Sequence, residues 1–183
     1  RWPCYSHCSS MVNLAILFYT TWAVFSFAVM FWWYGWDLFR PADGWFFWSV
    51  VACGVGLFTC WLSKVSLGQF DWARDMEDEF MRVLGPLTLG EAVLLAASSS
   101  IAEEAFFRGV LQPWLGLGYA TLIFAAVHMP MSKKLLAWPF FALGIGFVLG
   151  GLALVSGSLI PPIVTHATIN GVNLFFIGEK ARR

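Results

Sequence analysis

Three ionisable residues, Glu103, Glu104 and Arg108, stand inside Ser98-Ser99-Ser100-Ile101-Ala102-Glu103-Glu104-Ala105-Phe106-Phe107-Arg108, within a run otherwise too apolar to lie in water. A charged side chain at mid-membrane costs roughly 3 kcal/mol or more, so such residues need both a purpose and partners. At about 100° per residue, Glu104 and Arg108 fall four apart on one helical face and can pair. Glu103 points about 100° away from that face. It has no counter-charge in the local sequence, and its partner must come from elsewhere in the chain. The polar residues on offer in other apolar stretches are His128, His166 and Asn170, the last two again four apart. A carboxylate, two imidazoles and a carboxamide are groups that can take up protons and donate hydrogen bonds, the means of general acid–base chemistry. Two imidazoles and a carboxylate are also a ligand set for catalytic zinc, with one position left for water.

Plainer readings stand beside these. Glu104 with Arg108 is an ion pair that braces its helix. Ser98 to Ser100 raise the idea of a serine nucleophile, but no Asp or Glu is obviously placed to orient a Ser-His pair, and serines commonly occupy packing faces of membrane helices. Glu91, about three turns before Glu103, is expected at the interface. Adjacent carboxylates diverge on a helix, so Glu103 and Glu104 are not the facing pair of a glycosidase.

These residues need elements that can hold them out of water. Of 183 residues, 59% are hydrophobic and only 12% charged, against about 25% charged in a typical soluble domain. The composition is that of a membrane protein, with membrane lipid as its surroundings. The net charge of zero gives no bulk attraction for nucleic acid. Cys4, Cys8, Cys53 and Cys60 are too few and too dispersed for a disulfide framework. Cys53 and Cys60 read as packing on one helix face, whereas Cys4 and Cys8 around His7 would suit a metal or an acyl group. The chain begins with Arg1, which points to an N-terminus that is processed or lies further upstream. Its first apolar run is too long for a signal-peptide core, lacks an Ala-x-Ala site and reads as a retained span.

The expected fold is all-α, a polytopic transmembrane bundle of about six spans with an interfacial amphipathic helix before the third. Span one runs from Met11 to about Trp36 and ends in the aromatic belt Phe31-Trp32-Trp33-Tyr34-Gly35-Trp36. A polar loop with Asp37, Arg40, Pro41 and Asp43 leads to span two, Gly44 to Leu62. From Lys64 to Pro86, Phe70, Ala73, Met76, Phe80 and Val83 recur at helical spacing against Asp71, Arg74, Asp75, Asp78 and Arg82, the pattern of a helix lying along the membrane surface. Span three, Leu87 to Leu115, carries the charged motif. Span four, Tyr119 to about Pro130, is short for a crossing unless it lines a watered cavity. Span five, Leu135 to Val155, presents Gly146 and Gly150 on a small-residue face for close packing. Span six runs from Ile163 to Ile177. Residues 1–86 thus form an N-terminal hairpin with its interfacial helix, and residues 87–183 a catalytic core.

Under this reading nine of the 11 Lys and Arg residues fall on the side of the two termini, which makes both termini cytoplasmic, at the inner membrane in a bacterium. Counted from the other side, Glu103, His128, His166 and Asn170 all lie about 8 to 18 Å deep. Each alone is explained by an interhelical hydrogen bond; together, in one layer, they build a pocket.

The motifs resemble those of the CAAX-protease and bacteriocin-processing (Abi) family of intramembrane proteases. Glu-Glu-x-x-x-Arg reads here as Glu103-Glu104-Ala105-Phe106-Phe107-Arg108, Phe-x-x-x-His as Phe124 to His128, and His-x-x-x-Asn as His166 to Asn170, in that order over about Leu87 to Ile177. The resemblance implies an intramembrane endopeptidase acting on a protein or peptide substrate. Glu103 would be the general base, His128 would help position the water, His166 and Asn170 would donate to the oxyanion, and Glu104 and Arg108 would support the site. It implies no cofactor, although zinc at Glu103, His128 and His166 remains an alternative. Relatives of the family include non-catalytic scaffolds and bacteriocin-immunity factors. An ion-coupled carrier would also use intramembrane Glu, His and Arg, but such carriers usually show an internal repeat of spans, and this chain shows none.

Overall fold

The computed structural model describes residues 5–35, 43–130 and 132–183, with side chains from Met11 onward. Cys4, the side chains of His7 and Cys8, and the loop residues Trp36, Asp37, Arg40 and Pro41 lie outside the described residues. What is described is helical: α1 (Tyr5–Tyr34), α2 (Trp45–Gln69), α3 (Asp71–Leu84), α4 (Leu89–Phe106), a π-helical turn (Phe107–Leu111), α5 (Gln112–Val127), a 3-10 turn (Lys133–Leu135), α6 (Trp138–Ser156) and α7 (Ile160–Arg182). Five continuous helical stretches are long and apolar enough to cross a membrane, which makes this a multi-pass helical membrane protein.

The difference from the expected six spans has a physical cause. Spans three and four are one helical stretch, Leu89–Val127, of 39 residues. Drawn out straight it would measure about 58 Å, nearly twice a hydrocarbon core of about 30 Å. It is not straight. Gly116 adopts φ 80°, ψ 167°, a conformation that costs a side-chain-bearing residue heavily, and the chain turns back there. The Phe107 and Phe124 rings, 17 positions apart, end up 5.0 Å apart on either side of the fold. The second arm, from Leu117 to Val127, is about 16 Å long.

Local sequence sets the other boundaries. Gly85 closes α3 at φ 67°, its N–H bonded to Met81 O, and Pro86 prevents continuation. Thr88 then caps α4 in a reciprocal box: its Oγ1 accepts from Glu91 N at 3.2 Å, while Glu91 Oε2 accepts from Thr88 N at 2.8 Å, an arrangement worth about 1 kcal/mol. Glu91 is therefore a helix-start residue. The change of polarity at Lys64 does not end α2, which continues to Gln69. Polarity marks where an apolar surface stops, whereas a helix stops only where its backbone is broken.

The packing is polarised along the bundle. At one end, Val12, Leu87 and Ala92 cluster with Ile16, Leu84 and Leu174. There Lys180 bonds Glu77 and Asp78 of α3, Phe80 meets Trp138 at 5.1 Å, and Trp72 meets Phe141 at 5.4 Å. At the other end, Met30, Val110 and Leu159 pack with Phe27, Ala153 and Ile163. The N-terminal end of α1 and the C-terminal end of α7 thus share one end with α3. Between them lies a middle layer of Phe107, Phe124 and Ala142, flanked by Trp22, Phe106 and Ile145, and the charged residues sit at this level. Cys60 is buried and Cys53 exposed.

Candidate active site

Glu104 and Arg108 form the expected pair, with Arg108 Nη1 donating to Glu104 Oε1 at 2.9 Å; both are buried, Glu104 completely. Arg108 does more than neutralise. Its Nη2 donates to Gly146 O on α6 at 3.1 Å, and its guanidinium lies over the Phe124 ring, 4.5 Å from the centroid. One turn on, Gln112 Nε2 donates to Gly150 O at 3.0 Å. The two donors and the two carbonyls are each four residues apart, so α6 runs parallel to this part of the chain with its glycine face against it. A Cβ on Gly146 would stand 2.8 Å from Thr121 Cγ2 and 3.2 Å from Phe124 Cδ1. The small-residue face is thus what lets the cation reach a backbone carbonyl.

His166 connects the two carboxylates. Its Nδ1 donates to Glu104 Oε1 at 2.8 Å, while its Nε2 lies 4.0 Å from Glu103 Oε2. Glu104 already accepts from Arg108 as a carboxylate, so Nδ1 carries the proton of this hydrogen bond. The tautomer of His128 follows by the same logic. Its Nδ1 is 2.7 Å from Phe124 O; a carbonyl only accepts, so Nδ1 is the donor. That leaves His128 Nε2 aimed at Glu103 Oε2, 3.7 Å away. Both separations are longer than a direct hydrogen bond and suit one bridging water. Glu103 Oε2 is itself buried with no direct hydrogen-bond partner among the described residues.

Of the residues singled out in the sequence, Glu103, Glu104, Arg108, His128 and His166 therefore come together. Asn170 lies one turn beyond His166 and is bound to α4, its Nδ2 donating to Ser99 Oγ at 3.2 Å. Ser98 and Ser99 donate to carbonyls of their own helix. The imidazoles engage Glu104, Glu103 and Phe124, with no serine among their hydrogen-bond partners. Among the described residues no group of three or more His, Cys, Asp or Glu side chains is placed to hold a metal ion.

Two neighbours of the site carry no signal in the sequence. Tyr19 of α1 lies beside the Glu103 carboxylate, and the next turn, Trp22, packs on Phe106 at 5.4 Å. Trp138, at the start of α6, meets the His128 ring edge to face at 5.1 Å. The local backbone is also unusual. Arg108 stands in the π-helical turn Phe107–Leu111, a distortion often found at functional sites. At Gly109, inside that turn, an added Cβ would come 2.6 Å from Met30 Sδ and 3.2 Å from Leu159 Cδ1, so a larger residue there would displace the Met30 side chain of α1.

Comparison with known proteins points the same way. A Bacillus subtilis (strain 168) protein named "Uncharacterized protein YpbD" is 34% identical over 93 residues, which cover 50% of this chain and 48% of that protein. The aligned region thus spans about half the length of each. No solved structure matches the chain. Residues 85–172 match the family model for type II CAAX prenyl endopeptidase Rce1-like proteins. This segment holds Glu103, Glu104, Arg108, His128, His166 and Asn170, and by that match residues 85–172 belong to the Rce1-like family.

Proposed function

We propose that this protein is an intramembrane endopeptidase in which Glu103 activates water to hydrolyse a peptide bond at the membrane. The observation that carries the reading is the convergence of His128 Nε2 and His166 Nε2 on Glu103 Oε2, at 3.7 and 4.0 Å. A water placed among these atoms donates one hydrogen to Glu103 and the other to the bare Nε2 of His128. Its lone pair is then free for a substrate carbonyl. Glu103 takes the proton as the oxygen attacks carbon, and returns it to the leaving nitrogen when the tetrahedral intermediate collapses.

The negative charge that develops on the carbonyl oxygen needs donors. Asn170 commits one Nδ2 hydrogen to Ser99 and keeps the other for the oxyanion. His166 spends its Nδ1 hydrogen on Glu104, so donation from Nε2 requires the imidazolium form. Arg108 and Glu104 act behind His166, holding the ring at its angle through the bond from Nδ1 to Glu104, as outer partners do for metal-bound or catalytic histidines.

In the membrane the proposed arrangement has six passes, the fourth being the short arm after Gly116. The amphipathic α3 lies in the interface and both termini are cytoplasmic. Apart from Arg108, every Lys and Arg among the described residues lies at the end that α3 occupies or in the connections beside it, which supports this orientation. The family description names prenyl endopeptidases, and a substrate with a prenylated C-terminus is one candidate beside a bacteriocin leader and a C-terminal sorting tail. Purified protein in lipid nanodiscs, incubated with a panel of these three peptide types and read by mass spectrometry, tests the proposal. Wild type should cleave at least one peptide. Glu103→Gln should cleave none while folding as wild type does. A Gln variant that keeps most of the activity removes Glu103 as the base, and wild type that cleaves nothing in the panel favours a scaffold.

A further inference from the structure

His128 is held on two sides by aromatic rings from different helices. Phe124, one turn earlier on α5, has its ring centroid 4.5 Å away and tilted by 46°, and it supplies the carbonyl that fixes Nδ1. This contact is local to the helix end and restrains the imidazole through a single hydrogen bond. The opposing contact comes from Trp138, whose indole meets the imidazole at 5.1 Å and 89°. Trp138 is held in turn by Phe80 of α3, at 5.1 Å and 84°. The Phe80, Trp138 and His128 rings therefore form a continuous row from the amphipathic helix to the atoms facing Glu103. Further ties hold α3 at this place: Lys180 to Glu77 and Asp78, and Lys134 near Asp75 at 3.9 Å.

We propose that Trp138 is a positioning residue for His128, seated by Phe80, so that docking of α3 against the start of α6 sets the angle at which His128 Nε2 faces Glu103. The inference rests on the hydrolase reading of the site, but its first consequence is structural and is measured without substrate. An edge-to-face aromatic contact contributes about 0.5–1.5 kcal/mol beyond burial, enough to bias a ring that is otherwise fixed by one hydrogen bond. Misplacement of a catalytic group by about 1 Å can cost on the order of 100-fold in rate.

The test uses the full chain in nanodiscs with 15N-labelled histidine, the chain having only 3 His. In wild type and in Trp138→Phe, His128 should show a single tautomer with the proton on Nδ1. Trp138→Leu, which fills space but offers no ring face, should shift both nitrogen resonances toward the average of two tautomers. Phe80→Leu should move them the same way by less, and it serves where Trp138→Leu accumulates poorly. In cleavage of whichever panel peptide wild type accepts, kcat should fall about 10- to 100-fold in Trp138→Leu with KM within about twofold, and Trp138→Phe should restore it. Unchanged His128 resonances in both leucine variants overturn the proposal. Shifted resonances in a protein that cleaves no peptide leave the positioning contact standing and remove the hydrolase reading instead.

Discussion

Replacing Arg108 by methionine removes its charge while keeping most of its length, and the effect on stability can be worked from its contacts. The guanidinium gives a 2.9 Å bond to Glu104, a 3.1 Å bond to Gly146 O and a stacked face to Phe124. Glu104 is wholly buried, and among the described residues its Oε2 has no hydrogen-bond partner and only His166 still donates to Oε1 once the arginine is gone. Breaking a buried ion pair by removing one partner costs about 3–5 kcal/mol. The retained His166 bond keeps the cost toward the lower end, and loss of the cation–π contact adds up to about 2 kcal/mol. We therefore expect about 4 kcal/mol, a large share of the roughly 5–15 kcal/mol by which a domain is stable. Adding Glu104→Gln removes the orphaned charge, so the double variant should regain at least about 2 kcal/mol over Arg108→Met. Denaturation in detergent micelles, run as a double-mutant cycle, measures both. If Arg108→Met unfolds within 1 kcal/mol of wild type, or the cycle shows no coupling, the pair does not contribute the stability assigned to it.

Four further outcomes are expected. Gly146→Ala pushes a Cβ to 2.8 Å from Thr121 Cγ2 and 3.2 Å from Phe124 Cδ1, and should cost about 1–3 kcal/mol and lower kcat; an unaffected variant would show that α6 can retreat. Reporter fusions after Arg183 and between Lys133 and Lys134 should both read as cytoplasmic, and an external signal at either sinks the six-pass arrangement. The activity should survive a strong chelator and fall about 100- to 1000-fold in His166→Ala or Asn170→Ala, whereas stoichiometric zinc with activity lost to chelation and restored by metal would displace the metal-free mechanism. The hydrogen bond from Arg82, with a smaller contribution from Ser132, holds the Glu79 carboxyl down at about 2, below its usual 4.5. A carboxylate depressed on folding stabilises fully above pH 4.5 and loses its contribution as pH falls toward 2, so amide protection factors in α3, taken relative to the intrinsic exchange rate at each pH, should fall over that window in wild type and not in Glu79→Gln.

Much of this site was legible because its spacings are helical. The pairing of Glu104 with Arg108 follows from a separation of four, and the small face at Gly146 and Gly150 from the same rule. The need of Glu103 for a distant partner follows from its facing the other way, and a comparison of depths was enough to name His128 and His166. What could not be read is what the packing creates. The π-helical turn at Phe107–Leu111 adds a residue to a helix without any local signature in the sequence. Asn170 pairs in the sequence with His166, yet its hydrogen-bond partner is Ser99, on a helix that no spacing rule connects to it. Tyr19 and Trp138 look like two more aromatic residues in a chain with 11 Trp and 4 Tyr; only the tertiary fold distinguishes them.

The fold-back at Gly116 explains why a short arm serves this chemistry better than a full crossing would. The arm of about 16 Å covers only about half of a hydrocarbon core, so under the six-pass arrangement α5 ends inside the membrane. Backbone that ends there must have its polar groups satisfied by protein or face a watered cavity. Part of that need is met by the tight turn in which His128 N and Met129 N bond Ala125 O and Ala126 O at 3.1 Å. The rest is met by making the helix end the site itself. The last residue before the break is the histidine whose side chain faces Glu103. Stopping the helix there leaves the His128 imidazole at the end of α5 facing a buried carboxylate, with its Nε2 3.7 Å from Glu103 Oε2.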